Sequence, residues 1–389
     1  MALPQETLSQ LLEGVASFVK NRLRPLEEDV ADAGELPADV IQEMKDMGLF
    51  GISIPQEYGG LGLTMEEEVL LTFELGHTSP AFRSIFGPNN GLGSQGILMD
   101  GTQEQKDFYL PRLASGEFIG SFCLTEPDSG SDAGSLRTKA VPDGDDYLIS
   151  GTKRFITNAP MAQMYTVFAR TNPDEKGARG VSAFIVPADA PGISLGQNYK
   201  KMGQHGTLVC DVTFDQVRVP ARNIVGGPDK LHQGFKTAMK ALDRGRLHIS
   251  AYCVGNADRL INDSLKYATE REQFGQPIAN FQLIGAQLAD SKTEAYATRC
   301  MVLDAARKRD LGEDVAVLSA CCKKFASEMV GRVADRAVQI HGGAGYVSEY
   351  GIERFYRDVR LYRIYEGTTE IQQSVIAKAM IREMAASHH

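Results

Sequence analysis

Near its C-terminal end the chain reads Ile-Tyr-Glu-Gly-Thr-Thr-Glu-Ile-Gln, from Ile364 to Gln372. A lone carboxylate, Glu366, stands there between an aromatic residue and a glycine, just ahead of a helical pattern. Poor solvation among Ile364, Tyr365 and Gly367 favours the neutral acid and raises its pKa. A carboxyl tuned in that way suits a general base that takes a weakly acidic C–H proton near neutral pH. The same string also fits an ordinary helix start. Thr369-x-x-Gln372 has the spacing of a capping box, and an acid near a helix N-terminus suits the macrodipole.

Other strings carry potential chemistry. Leu124-Thr125-Glu126-Pro127-Asp128-Ser129-Gly130-Ser131-Asp132-Ala133-Gly134 packs hydroxyls and glycines into a turn. Backbone N–H groups and hydroxyls in such a turn can cradle a diphosphate, although the same residues also favour a plain solvated loop. Lys153 to Asn158 places an aromatic, Phe155, and a hydroxyl, Thr157, on a strand-like run. Arg271-Glu272-Gln273-Phe274-Gly275 with Gln282, and Gln339 to Tyr346, each follow a long helical pattern. His341 reads as a structural histidine, since no metal-ligand spacing surrounds it. Gly91-Leu92-Gly93-Ser94-Gln95-Gly96 satisfies GxGxxG, but that fingerprint needs a preceding strand in a βαβ unit, and its surroundings are helical.

Three segments must position these residues. At 389 residues, 43% hydrophobic and 23% charged, the chain has the composition of a globular protein of two or three domains. Residues 1–117 read as an α-helical domain: Leu8, Leu11, Leu12, Val15, Phe18 and Val19 share one stripe, and further helices are expected over 37–47 and 65–76. Ser79-Pro80 then breaks the chain before another apolar stretch. Residues 118–230 read as a β domain, with a hairpin at Asp143-Gly144 and short runs over 165–169, 181–186 and 208–214. Residues 231–389 return to the helical period, with helices expected over 234–269, 282–309 and 313–338.

A net charge of −9 argues against non-specific binding to nucleic acid or an anionic membrane. No apolar run reaches the ~18 residues of a membrane helix, and the first residues lack a secretory pattern. Cys123, Cys210, Cys253, Cys300, Cys321 and Cys322 show no CxxC spacing and read as buried free thiols of a cytoplasmic protein. His388 and His389 read as the stub of an expression tag.

Taken together and in this order, the strings resemble the acyl-CoA dehydrogenase family from end to end. The resemblance implies an α+β fold: an N-terminal helical domain, a central β-barrel-like domain and a C-terminal four-helix bundle. It further implies a homotetramer with one FAD per subunit. The implied reaction removes the pro-R α-hydrogen and a β-hydride from an acyl-CoA thioester, giving a trans-2-enoyl-CoA, with electrons passed to electron-transfer flavoprotein. FAD contacts are implied for Phe122, Leu124, Thr125 and Ser131, for Phe155, Ile156 and Thr157 at the flavin ring, and for Thr368 and Glu370. Many relatives carry Trp where Phe155 stands. Arg271, Phe274, Gln282, Gln339, Gly342 and Gly343 are implied to reach the FAD of a neighbouring subunit. Ser131, Asp243 and Arg246 are implied to meet CoA, and Gly367 the substrate. Glu366 matches the family's base, with its own N–H and a flavin ribityl hydroxyl donating to the thioester oxygen. Relatives that keep the base on a helix have it where this chain has Gly245.

Arg83 bears on the acyl group. It lies in Phe82-Arg83-Ser84-Ile85-Phe86, a stretch that lines the acyl pocket in this family. A guanidinium facing a purely aliphatic chain is unpaired and costly, and a bidentate bond to a substrate carboxylate resolves that. The segment resembles the Tyr-Arg-Ser of glutaryl-CoA dehydrogenases, placing Arg83 and Ser84 at the substrate. Otherwise Arg83 reaches solvent or pairs with an acid such as Glu74. Where decarboxylating members carry a glutamate this chain has Gly76, which argues against decarboxylation and leaves room for a longer chain. The expectation is therefore a dehydrogenase of glutaryl- or adipyl-CoA. Alternatives are a short- or medium-chain monocarboxylic acyl-CoA dehydrogenase, an acyl-CoA oxidase, a desulfinase-type relative or a non-enzymatic DNA-binding member.

Overall fold

The computed structural model describes residues 2–387, and the His388–His389 pair read as a tag lies outside them. The N-terminal helices are α1 (Gln5–Phe18), α2 (Glu27–Ala33), α3 (Ala38–Asp46), α4 (Met65–Leu75), α5 (Pro80–Asn90), α6 (Gln95–Asp100) and α7 (Gln103–Ala114). Local chemistry sets their starts. Thr64 and Glu67 close a reciprocal capping box on α4, Thr102 and Gln105 do so on α7, and Ser79 caps α5 with Pro80 at its first position. The GxGxxG run spans the turn after α5 and the first residues of α6, with no strand ahead of it.

The β domain holds β1 (Gly120–Cys123), β2 (Lys139–Asp143), β3 (Asp146–Thr157), β4 (Met164–Arg170), β5 (Val181–Pro187), β6 (Ile193–Leu195) and β7 (Val209–Pro220). They form one sheet in the order β1-β4-β2-β3-β7-β6, with β5 on β4, and among the described residues no ladder closes it into a full barrel. The expected hairpin turns at Gly144, whose φ of +65° suits a two-residue loop between paired Asp143 and Asp146. The β3–β7 register shifts between Lys153 and Ile156, a bulge that re-aims the intervening residues.

The C-terminal part comprises α8 (Gly234–Glu270), a small hairpin of β8 (Glu272–Gln273) and β9 (Gln276–Pro277), α9 (Gln282–Asp310), α10 (Ala316–His341), α11 (Gly343–Tyr346), α12 (Ile352–Val359) and α13 (Thr369–Ala386). Helix α10 packs on α8, α9 and α13. One apolar core joins both helical parts and includes Val69, Phe73 and Phe82 from the first and Val254, Ala257 and Met329 from the second. A second core lies inside the β domain, and a third fastens the sheet to α7 and the start of α8.

All six cysteines are free, but only Cys123, Cys210, Cys253 and Cys322 are buried. Cys300 faces solvent and Cys321 is half-buried, because both lie on the outer sides of bundle helices. No helix among the described residues is long and apolar enough to cross a membrane, and no group of ligating side chains there would hold a metal.

Candidate active site

A cavity of about 550 Å³ opens where the three parts of the chain meet, and Glu366 lines it. The loop that carries Glu366 runs from a short 3₁₀ turn, Arg360–Arg363, into α13. Glu366 sits at φ +54° and Gly367 at +89°, so a non-glycine residue is held in the left-handed region. Gln372 stabilises this bend by donating its Nε2 to the carbonyls of Glu366 and Gly367, each at 3.1 Å. The expected capping box at Thr369 is therefore replaced. Thr368 is the N-cap, accepting from the Ile371 N–H at 3.3 Å, and Gln372 serves the loop instead.

The Glu366 carboxylate reaches into buried space. Its Oε2 has no hydrogen-bond partner, and no acceptor among the described residues takes its backbone N–H. Gly245 on α8 makes the room, for a Cβ there would collide with Oε2. Burial raises the Glu366 pKa, against the opposing charges of Arg83, Lys323 and Arg246.

The loop after β1 forms one wall. Phe122, Leu124, Thr125, Ser131, Phe155 and Thr157 all line the cavity. The β3 bulge holds Phe155 at φ +59° and leaves its ring 57% exposed. Asp211 fixes the bulge, accepting from the Phe155 N–H at 3.3 Å and from the Tyr199 hydroxyl at 2.9 Å. Ile156, the alternate residue, turns into the β core and does not reach the cavity.

Two residues that the motif reading passed over anchor this wall. Glu126 accepts from the N–H groups of Arg137 and Thr138 and from Lys153 Nζ at 2.8 Å, while Lys153 also donates to the Leu124 carbonyl at 3.2 Å. Burial works against the ionised Glu126, yet Lys153 together with the Thr138 and Arg137 donors holds the carboxyl below its ordinary range. An acid inside the Leu124–Gly134 string and a lysine opening the strand-like Lys153–Asn158 run were the only sequence signal.

Arg83 lies half-buried at another face of the cavity, and its side-chain partner is not Glu74. Its Nη2 meets His248 Nδ1 at 2.9 Å, and its Nε is buried without an acceptor. His248 is buried, and its pKa falls well below the ordinary value through burial and the nearby Arg83 and Arg244. The neutral ring accepts from Arg83, which puts its proton on Nε2, 3.7 Å from Glu68 Oε1. Glu68 pairs with Arg244. Arg83 thus remains the cation of this cluster without a carboxylate.

Gly76 does not widen the cavity. It lies against α8, where a Cβ would come within 2.6 Å of Gly255 Cα, so it admits neither a side chain nor a longer acyl group. Ser84 lines the cavity, but its hydroxyl donates to the Pro80 carbonyl at 3.0 Å. Arg246 lines it too, held by Asp243 at 2.6 Å from just outside.

The remaining expected residues lie elsewhere. Arg271, Phe274, Gln282, Gln339, Gly342 and Gly343 are all exposed and gather at one end of the helical bundle. Stacking of Tyr267 on His341, with centroids 4.4 Å apart, joins the ends of α8 and α10 there. His341 Nδ1 contacts the Ala337 carbonyl at 2.8 Å, a structural use. Thr368 is occupied as a cap and Glu370 faces solvent, both outside the cavity lining.

Family models match in order along the chain: the acyl-CoA dehydrogenase N-terminal domain over residues 5–117, its middle domain over 121–217 and its C-terminal domain over 232–381. The chain is 43% identical to YngJ, a probable acyl-CoA dehydrogenase of Bacillus subtilis, covering 95% of this chain and 97% of that one. It is 39% identical to subunit CarC of the caffeyl-CoA reductase-Etf complex of Acetobacterium woodii, over 92% and 93%. Among solved structures, butyryl-CoA dehydrogenase from Megasphaera elsdenii superposes with a TM-score of 0.93 at 34% identity, over 98% and 99% of the two chains. Glutaryl-CoA dehydrogenase from Mycobacterium smegmatis gives 0.90 at 31% identity, over 97% and 95%. PigA with FAD and proline gives 0.92 at 28%, over 98% of each chain.

Proposed function

This chain belongs to the acyl-CoA dehydrogenase family and is an FAD-dependent oxidoreductase, and we propose that it dehydrogenates a dicarboxylyl-CoA thioester, such as glutaryl- or adipyl-CoA, between Cα and Cβ. The observation that carries the reaction type is the unpartnered carboxylate oxygen of Glu366 facing the cavity.

The residues present fit the cofactor. The hydroxyls of Thr125, Ser131 and Thr157, the side-chain-free Gly130 and Gly134 and the exposed Phe155 ring line one cavity wall, a donor set suited to a diphosphate and a flat ring. FAD, when bound, supplies the acceptor for the β-hydride. Glu366 takes the α-proton, and its raised pKa keeps it a competent base near neutral pH. Its free N–H is the donor we assign to the thioester oxygen, where negative charge develops. Electrons pass to an electron-transfer flavoprotein in the cytoplasm. The working form in this reading is a homotetramer, whose contacts complete the FAD site through the exposed bundle end.

Arg83 supports the second carboxylate. Its buried Nε lacks an acceptor, and its one polar partner is a neutral ring. A substrate carboxylate would satisfy both its geometry and its charge. Arg83→Met should lower kcat/KM for glutaryl- or adipyl-CoA about a hundredfold. Butyryl- and hexanoyl-CoA should change little. The assay belongs at a pH where the base is ionised in both proteins, since Arg83 also faces Glu366. Equal loss on both substrate types would overturn the carboxylate reading.

A second reading runs the reaction towards reduction. The similarity to an Etf-linked caffeyl-CoA reductase subunit supports it, and His248 beside Glu68 offers a polar end for a phenolic hydroxyl. Faster reduction of an aryl-acryloyl-CoA than oxidation of any dicarboxylyl-CoA would favour this direction.

A further inference from the structure

We infer that Lys323 is a positioning residue for the reaction, its buried ammonium holding the Gly367 carbonyl so that Glu366 stays in the left-handed conformation that aims its carboxylate into the cavity. This rests on Glu366 acting as the base.

Lys323 lies on α10 with no solvent exposure, and its Nζ donates to the Gly367 carbonyl at 2.5 Å. A lysine deep in a helical bundle is costly unless it is paired, and among the described residues no carboxylate forms a salt bridge with it. Among the described residues, the acceptor it reaches is the peptide immediately after the base. Further along α10, Glu328 holds the same loop at both ends. It accepts from the Thr369 hydroxyl at 2.9 Å and lies 3.2 Å from Arg363 Nε. Gly331 leaves the space for that guanidinium. Helix α10 therefore pins the strained loop before, at and after Glu366, while Gln372 restrains it from α13. A left-handed glutamate persists only where the surroundings over-determine it, and these contacts do so.

Charge follows the same geometry. Facing Lys323 are Glu366 from the loop, Cys253 and Arg246 from α8, and Glu328 from α10 itself. Facing Glu366 are Arg83 from α5, Arg246 from α8 and Lys323 from α10, with Tyr365 beside it in the loop. Burial brings the Lys323 pKa down to about 8, so it is mostly charged at neutral pH. A cation there favours the ionised base, and its removal moves the Glu366 titration upward.

The test is the pH dependence of kcat/KM for the FAD-loaded enzyme with its best acyl-CoA, with flavin content measured in parallel. Lys323→Gln keeps a donor for Gly367 and removes the charge. It should move the acid limb up by about one pH unit. Lys323→Met should move the limb equally and also lower kcat more than tenfold with KM nearly unchanged. Lys323→Arg should leave the limb in place. A folded, FAD-loaded Lys323→Met with wild-type kcat overturns the proposal, and so does a Lys323→Gln that, with its donor kept, falls more than tenfold in kcat. Glu366→Gln separates the two levels: normal turnover in that variant sinks the base assignment, whereas a dead Glu366→Gln beside either of those results sinks only the role of Lys323.

Discussion

At the residue scale, the catalysis proposed above depends on a carboxylate and an absence. Glu366 projects where Gly245 has no side chain, so the two positions are complementary in volume. Gly245→Ala should leave FAD binding intact and lower the rate of anaerobic flavin reduction more than tenfold. A 1 Å displacement of a reacting group can cost that much or more. An alanine variant reducing its flavin at the wild-type rate would remove Gly245 from the account. The position of Glu366 and the missing side chain at Gly245 were read through the family resemblance that the upstream strings carry. The surroundings of Arg83 were not. Its partner His248 lies 165 positions away, and no local pattern announces such a contact. Gln372 was misread for a related reason, since capping-box spacing cannot tell which backbone groups a side chain will reach.

At the element scale, the β domain presents Phe155 through a bulge and holds the neighbouring loop through a buried ion pair. Lys153 is fully buried and Glu126 is 6% exposed. Removing one partner strands the other charge, so Lys153→Met should destabilise the protein by about 3–5 kcal/mol in urea unfolding. It should also weaken FAD retention. The carboxyl of Glu126 titrates lower in the folded chain than in the unfolded one. Its stabilisation is therefore present above about pH 4.3 and is lost as pH falls through the folded value. A wild-type-like acid unfolding profile in Lys153→Met would contradict this. The long helices were legible because their period persists. The helix expected over 234–269 is Gly234–Glu270, and that over 282–309 is Gln282–Asp310. Strand β1 was not, since four residues are too few for alternation to register, and its parallel partner β4 lies far along the chain.

At the scale of the whole molecule, the helical, β and helical order read from composition and period is the architecture observed. What local patterns could not supply is how the parts meet. Asp358 of α12 accepts from the Gln204 N–H of the β domain and from the Ser79 hydroxyl ahead of α5, tying all three parts at one buried side chain. The bundle end beyond α8 and α10 leaves Phe274, Leu283 and Tyr346 at least 80% exposed, an apolar surface that suits burial against another copy. Phe274→Glu should dissociate the proposed tetramer in sedimentation analysis and release FAD on dilution. A monomer that retains its flavin would rule out a shared site. The contact of Gly76 with Gly255 has a consequence for redesign. Bare backbone meets bare backbone there, so the spacing of α4 and α8 cannot be tuned by a larger residue at either glycine. A library randomised at Gly76 to change chain-length preference should yield unstable proteins rather than new substrates. In the reading proposed above, changes of acyl specificity fall instead to the side chains that line the cavity, Arg83 first among them.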